Sequence, residues 1–133
     1  MRSKQERRNF PMQETTVLFR PIGSKELVLI RESNYTAFPP RLFWQPIFYP
    51  VLNEEYATQI ARDWNARDGN NGYVTRFSVR MDFLQRYEVH QVGSAINQEY
   101  WIPAEELEEF NRNIVGPIEV IAEFQSSLEM EMD

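Results

Sequence analysis

Arg20, Arg41, the adjacent pair Phe48 and Tyr49, and Glu99 form a chemically coherent set within the 133 residues. An arginine can hold a phosphate through two parallel hydrogen bonds. Aromatic rings can sandwich a planar heterocycle. A carboxylate can accept from a ribose hydroxyl and stabilise a sugar cation, as in glycosidic cleavage through an oxocarbenium-like state. Each residue also has an ordinary structural use. Arg20 can pair at the surface, Phe48 and Tyr49 can be core, and Glu99 can be an exposed edge charge. Spacing alone does not choose between these uses.

Other chemistries find less support. There is no cysteine, so thiol catalysis, a disulfide framework and thiolate–metal sites are excluded, and the absence fits a reducing compartment. The one histidine, His90, cannot form a histidine cluster, and no metal is expected. The glutamates of the 105–109 run point around a helix and read as a solvated face. No Gly-x-Ser-x-Gly elbow, Walker A loop or Gly-x-Gly-x-x-Gly fingerprint occurs. With only 5 glycines, a nucleotide would need another kind of site.

These residues must be carried by a small set of elements. Thr15 to Arg20 is β-rich and bounded by Pro21, predicting a first strand. Ser24 stands at an N-cap position for a short helix over 24–33. Residues 34–46 form an aromatic loop in which Pro39, Pro40 and Pro46 deny regular hydrogen bonding. Ile47 to Leu52 predicts a strand, with Pro50 marking an edge or irregular end. Asn53 caps a helix over about 53–66, whose Tyr56, Ala57, Ile60, Ala61 and Trp64 make one buried stripe. Residues 68–72 turn. Strands follow at Tyr73–Val79, Tyr87–Val92 and Asn97–Ile102, with a helical turn at 81–86; Asn97, Glu99 and Trp101 share a face of the third strand. Pro103 opens a helix bearing Ala104, Leu107, Phe110 and Ile114, and Gly116-Pro117 stops it before a last strand, Ile118–Phe124. Clustered rather than alternating strands predict an α+β fold with a mainly antiparallel, split or sandwiched sheet and about three helices.

A 42% apolar and 14% aromatic composition is enough to bury one core, which we assign to a single domain over 13–124. Arg2, Lys4, Arg7 and Arg8 against Glu6 give residues 1–12 a charge of +3, leaving −9 on the rest of a chain whose net charge is −6. An acidic body is a poor nucleic-acid binder. We read 1–12 as a disordered basic extension and 125–133 as a solvated acidic tail. No run approaches membrane-spanning length and no secretory signal is visible, so the expected location is cytoplasmic, without membrane contact.

The segments Val17–Gly23 (VLFRPIG), Ala37–Leu42 (AFPPRL), Gln45–Ala57 (QPIFYPVLNEEYA) and Glu99–Leu107 (EYWIPAEEL) resemble small bacterial proteins labelled "ADP-ribosylation/crystallin J1". The resemblance covers about residues 15–122. At greater distance the chain resembles ADP-ribosyltransferases, which use a split β-sandwich with Arg or His on an early strand, Ser or Tyr on a middle strand and Glu on a late strand. Arg20 matches the first position and Glu99 the third, while the middle position falls on Phe48 or Tyr49. The chain departs from arginine-modifying members by having Asn97 two residues before the glutamate and no Ser-Thr-Ser on the middle strand. The resemblance implies an NAD-binding domain that transfers ADP-ribose or cleaves the nicotinamide–ribose bond. In it Glu99 would be catalytic, with Arg20, Arg41, Phe48 and Tyr49 around the nucleotide. The alternative is a non-catalytic interaction domain that presents the aromatic, proline-rich 35–49 loop to a protein partner. Convergence of Arg20, Tyr49 and Glu99 on one cleft would favour the first reading.

Overall fold

The structure, a computed structural model, describes residues 14–126. The basic extension and nearly all of the acidic tail lie outside them. Ser126, assigned above to that tail, is buried, and its hydroxyl accepts from the Gly69 N–H at 3.0 Å.

The fold is α+β with antiparallel pairing throughout. Three long strands form its centre: β1 (Thr15–Gly23), β3 (Gly72–Arg80) and β7 (Ile114–Phe124), in the order β1-β3-β7. Two short pairs accompany them. They are β2 (Ile47–Phe48) with β6 (Ile102–Pro103), and β4 (Val89–Gln91) with β5 (Gln98–Tyr100). The helices are α1 (Ser24–Glu32), α2 (Glu54–Ile60), α3 (Met81–Leu84) and α4 (Leu107–Arg112).

Period-2 alternation sorts the central strands between two cores. Leu18 and Ile22 of β1, with Phe77 and Val79 of β3, join Phe38, Phe48, Phe83 and Phe110 in the larger cluster. Its rings meet edge-on or tilted, as for Phe38 with Phe77 at 4.8 Å and Phe48 with Phe110 at 5.3 Å between centroids. On the other face Val74 and Val51 meet Ala57 and Ala61 of the α2 segment, with Phe19 alongside.

Asn53 caps α2 as its sequence position requires. Its Oδ1 accepts from the N–H groups of Glu55 (2.8 Å) and Tyr56 (3.2 Å). The expected buried stripe holds at Ala57 and Ala61 and fails at Trp64, which is 66% exposed. The helix loosens into a π-turn at Ala61–Asn65, with the Ala66 N–H donating to the Ala61 carbonyl. The wider turn rotates Trp64 off the stripe. Close approach of this turn to the sheet depends on Gly72, where a Cβ would stand 2.1 Å from the Ala61 carbonyl oxygen.

Two prolines lie inside strands rather than ending them. Pro21 falls within β1, and Gly116-Pro117 within β7. The Phe19 N–H and C=O point away from β3 toward Val51. Pro21, two residues on, therefore turns its donor-less nitrogen to that same outer edge and costs β3 no hydrogen bond. In β7, Ser78 pairs with Val115 and Arg76 with Glu119, so extra residues bulge where Gly116 takes φ +82° and Pro117 follows. Ile114, expected at the end of a helix, is the first residue of this strand.

Candidate functional site

The cleft begins where the sheet divides. On its outer edge β1 is joined by Val51, through Phe19 N–H to Val51 O (2.9 Å) and Val51 N–H to Phe19 O (2.8 Å). Val51 in turn bridges to Glu99, flanked by Leu52 N–H to Gln98 O (3.0 Å) and Tyr100 N–H to Pro50 O (2.9 Å). Beyond this point Pro21 offers no donor. A cleft of about 430 Å3 lies there, bordered by Arg20 and Pro21 of β1, Tyr49 and Val51 of the bridging segment, and Glu99 and Trp101. Ile60 and Asn65 of the α2 segment and Val92 complete it. Its size is within the ~300–1,000 Å3 typical of small-molecule sites.

Glu99 is the chemically distinctive group. It is only 9% exposed. Its Oε1 accepts from the Tyr56 hydroxyl at 3.2 Å and its Oε2 from Trp101 Nε1 at 2.8 Å. Among the described residues no cationic side chain forms an ion pair with it. Burial first, then the Glu99 carboxylate, push the Tyr56 hydroxyl above its usual range, so it remains a donor. Trp101 is held on its other side by His90, which stacks on it at 3.7 Å with ring planes 8° apart. His90 is the residue opposite Glu99 in the β4–β5 pair.

Tyr49 belongs to the cleft, and its ring meets Trp101 edge-on at 6.4 Å. Phe48 does not. Successive residues of an extended segment face opposite ways, so Phe48 and Tyr49 cannot both flank one ligand. Phe48 is fully buried against Phe38 and Phe110 in the larger core. The aromatic partner of Tyr49 is Trp101. Its signal was present in the sequence, since Trp101 stands two residues beyond Glu99, although in the structure it lies between β5 and β6 rather than on β5.

Arg20 borders the cleft, but its guanidinium already has partners. It alternates with Phe19 and lies with Leu18 and Ile22 on the larger-core face. Nε and Nη2 donate to the two carboxylate oxygens of Glu26 at 2.7 and 3.0 Å, and the guanidinium lies 4.6 Å from the centre of the Phe48 ring. Arg41 does not line the cleft. Its Nε donates to the Ile47 carbonyl at 3.1 Å. Burial, and next the charge of Arg20, lower its affinity for its proton below the usual guanidinium value.

No protein-family model matches the chain, and no curated protein or solved structure matches it. The geometry therefore carries the functional reading. Among the described residues no group of three or more His, Cys, Asp and Glu side chains could hold a metal ion, and no helix is long and apolar enough to cross a membrane. Sequence reasoning missed Asn65 altogether. Its Oδ1 is shielded from solvent and accepts from no described donor. It reaches the cleft through the π-turn, and nothing in the local residue types announces that turn.

Proposed function

We propose that this cleft binds the nicotinamide–ribose end of NAD and acts on the glycosidic bond in the manner of an ADP-ribosyltransferase. One observation supports the reading above the others: Arg20, Tyr49 and Glu99, from three separate stretches of sequence, border a single cleft. The nicotinamide ring would sit in the corner that Tyr49 and Trp101 form. As the C1′–N1 bond breaks, its electron pair leaves with neutral nicotinamide, and the Glu99 carboxylate stabilises the ribosyl cation until an acceptor nucleophile attacks C1′ and loses its proton. Glu26 occupies Nε and Nη2 of Arg20, which leaves Nη1 as the donor for a phosphate.

The test is thermal unfolding of the wild type and Glu99→Gln with and without NAD, followed by an assay for released nicotinamide. NAD at ~100 times its Kd should stabilise the wild type by about 2.7 kcal/mol, a rise of several degrees. Glu99→Gln should bind NAD and release no nicotinamide. Equal release by both proteins would remove Glu99 from the mechanism, and an absence of any shift at millimolar NAD would end the NAD reading.

A second reading rests on its own observation. In the proline-rich loop Phe38 is core, whereas Phe43 is 94% and Trp44 63% exposed, with their rings packed edge-on at 4.9 Å. This pair is what a non-catalytic interaction domain would offer a protein partner.

A further inference from the structure

We infer that the cleft is a receptor for a compact organic cation, with Glu99 as counter-ion and the Tyr49–Trp101 corner as its aromatic wall. The inference goes beyond NAD, whose positively charged nicotinamide ring is only one source of such a group. Quaternary ammonium compounds are another.

The charge of the cleft calls for a cation. A buried carboxylate is costly unless it is paired, and truncated or unpaired buried charges are strongly destabilising. Glu99 has only two neutral donors, Tyr56 and Trp101, against roughly four lone-pair positions on an ionised carboxyl group. The other charge bordering the cleft, Arg20, is cancelled by its two-point contact with Glu26. The uncompensated charge of the cleft is therefore negative.

The chemistry of the walls favours an organic cation over a metal ion. Pro21, Val51, Ile60 and Val92 offer no side-chain ligands to a hydrated metal ion, no second carboxylate borders the cleft, and beyond Glu99 the lining side chains add only the neutral oxygens of Asn65 and Tyr49. A cation entering here must tolerate the loss of water, as a bulky organic cation does and a small inorganic one does not. Tyr49 and Trp101 are partly exposed and stand at 84° to one another, forming a corner. Aromatic faces attract organic cations, and quaternary ammonium groups are the usual guests of such corners.

Two pairs of probes of matched shape test the inference: choline against 3,3-dimethylbutan-1-ol, and 1-methylnicotinamide against nicotinamide. Binding is measured by calorimetry on the full chain. Each cation should bind the wild type about tenfold more tightly than its neutral partner, or better, the equivalent of ~1.4 kcal/mol. In Glu99→Gln, checked for native near-ultraviolet circular dichroism, this preference should disappear. Tyr49→Leu, which keeps the charge, should weaken both cations. Equal binding of charged and neutral probes, a preference that survives Glu99→Gln, or no binding of either cation at the highest soluble concentration would overturn the inference. Cation binding without any response to NAD would sink the NAD proposal alone. NAD binding without charge discrimination would sink this one alone.

Discussion

Glu99 and Arg20 are both about nine-tenths buried, yet removing their charges should have opposite consequences. A glutamine at 99 can accept from Trp101 Nε1 and donate to the Tyr56 hydroxyl oxygen, so both contacts are kept, the second with its direction reversed, while the unpaired charge is gone. Glu99→Gln should leave stability unchanged or raise it by ~1 kcal/mol, as happens where a site holds a group that folding alone does not favour. Arg20→Ala instead strands the partly buried Glu26 carboxylate and uncovers Phe48. It should cost about 3 kcal/mol. Urea unfolding of the two variants beside the wild type measures both, and a destabilised Glu99→Gln would mean that its carboxylate is structurally compensated. For this reason Arg20→Ala is a poor probe of ligand binding. Strand alternation made some of the site legible: Glu99 and Trp101 share a face by being two residues apart. The same rule forbids Phe48 and Tyr49 from acting together, and only burial tells which of them enters the core. The Arg20–Glu26 contact was not legible, because it links a strand to the helix that follows it at an angle the sequence does not state.

Of the two helix caps expected from a single side chain, Ser24 is instead the first residue of α1, behind Gly23 and without a side-chain cap bond, and Asn53 holds. Asn53 is the clear case, since its carbonyl oxygen takes two backbone donors that the helix cannot satisfy itself. The π-turn at Ala61–Asn65 was not readable: no local residue type announces it, and Gly72, against which it packs, belongs to the start of β3. A methyl group at 72 would collide with backbone, which cannot swing aside as a side chain can. Gly72→Ala should therefore destabilise the fold by about 1–3 kcal/mol, and because Asn65 belongs to the same turn it should also weaken binding in the cleft. Gly23, where the nearest neighbour of a Cβ would be the Asn65 Nδ2 at 4.0 Å, is the control. Gly23→Ala should cost much less in the same denaturation series. Strand limits were misread at Pro21, whose nitrogen faces the outer edge of β1, and at Pro117, which sits in a bulge of β7. Both the facing of a residue and a bulge are properties of the sheet.

The α+β class and antiparallel pairing follow from the order of strands and helices, and both are found. A split or sandwiched sheet was expected, but the place where it divides could not be foreseen, since that depends on a contact between residues far apart in the chain. The aromatic loop likewise resolves only in three dimensions, where it sends Phe38 inward and leaves Phe43 and Trp44 outside. Replacing both exposed rings with serine should change stability by less than about 0.5 kcal/mol, whereas Phe38→Ala should cost about 3–5 kcal/mol. Parallel thermal melts distinguish the two, and a large loss on replacing the outer pair would show that it supports the fold rather than a partner.

Val51 joins Phe19 on one side to Glu99 on the other, and so brings three remote parts of the chain to one line. Such long loops are slow to close, and their closure entropy must be met before the contacts reward it. β1 can find β3 without Glu99, but the cleft has no second wall until β5 arrives. The site thus waits on β5, and a chain interrupted before it could pair β1 with β3 but would lack β7 as well as a second wall with which to hold a ligand.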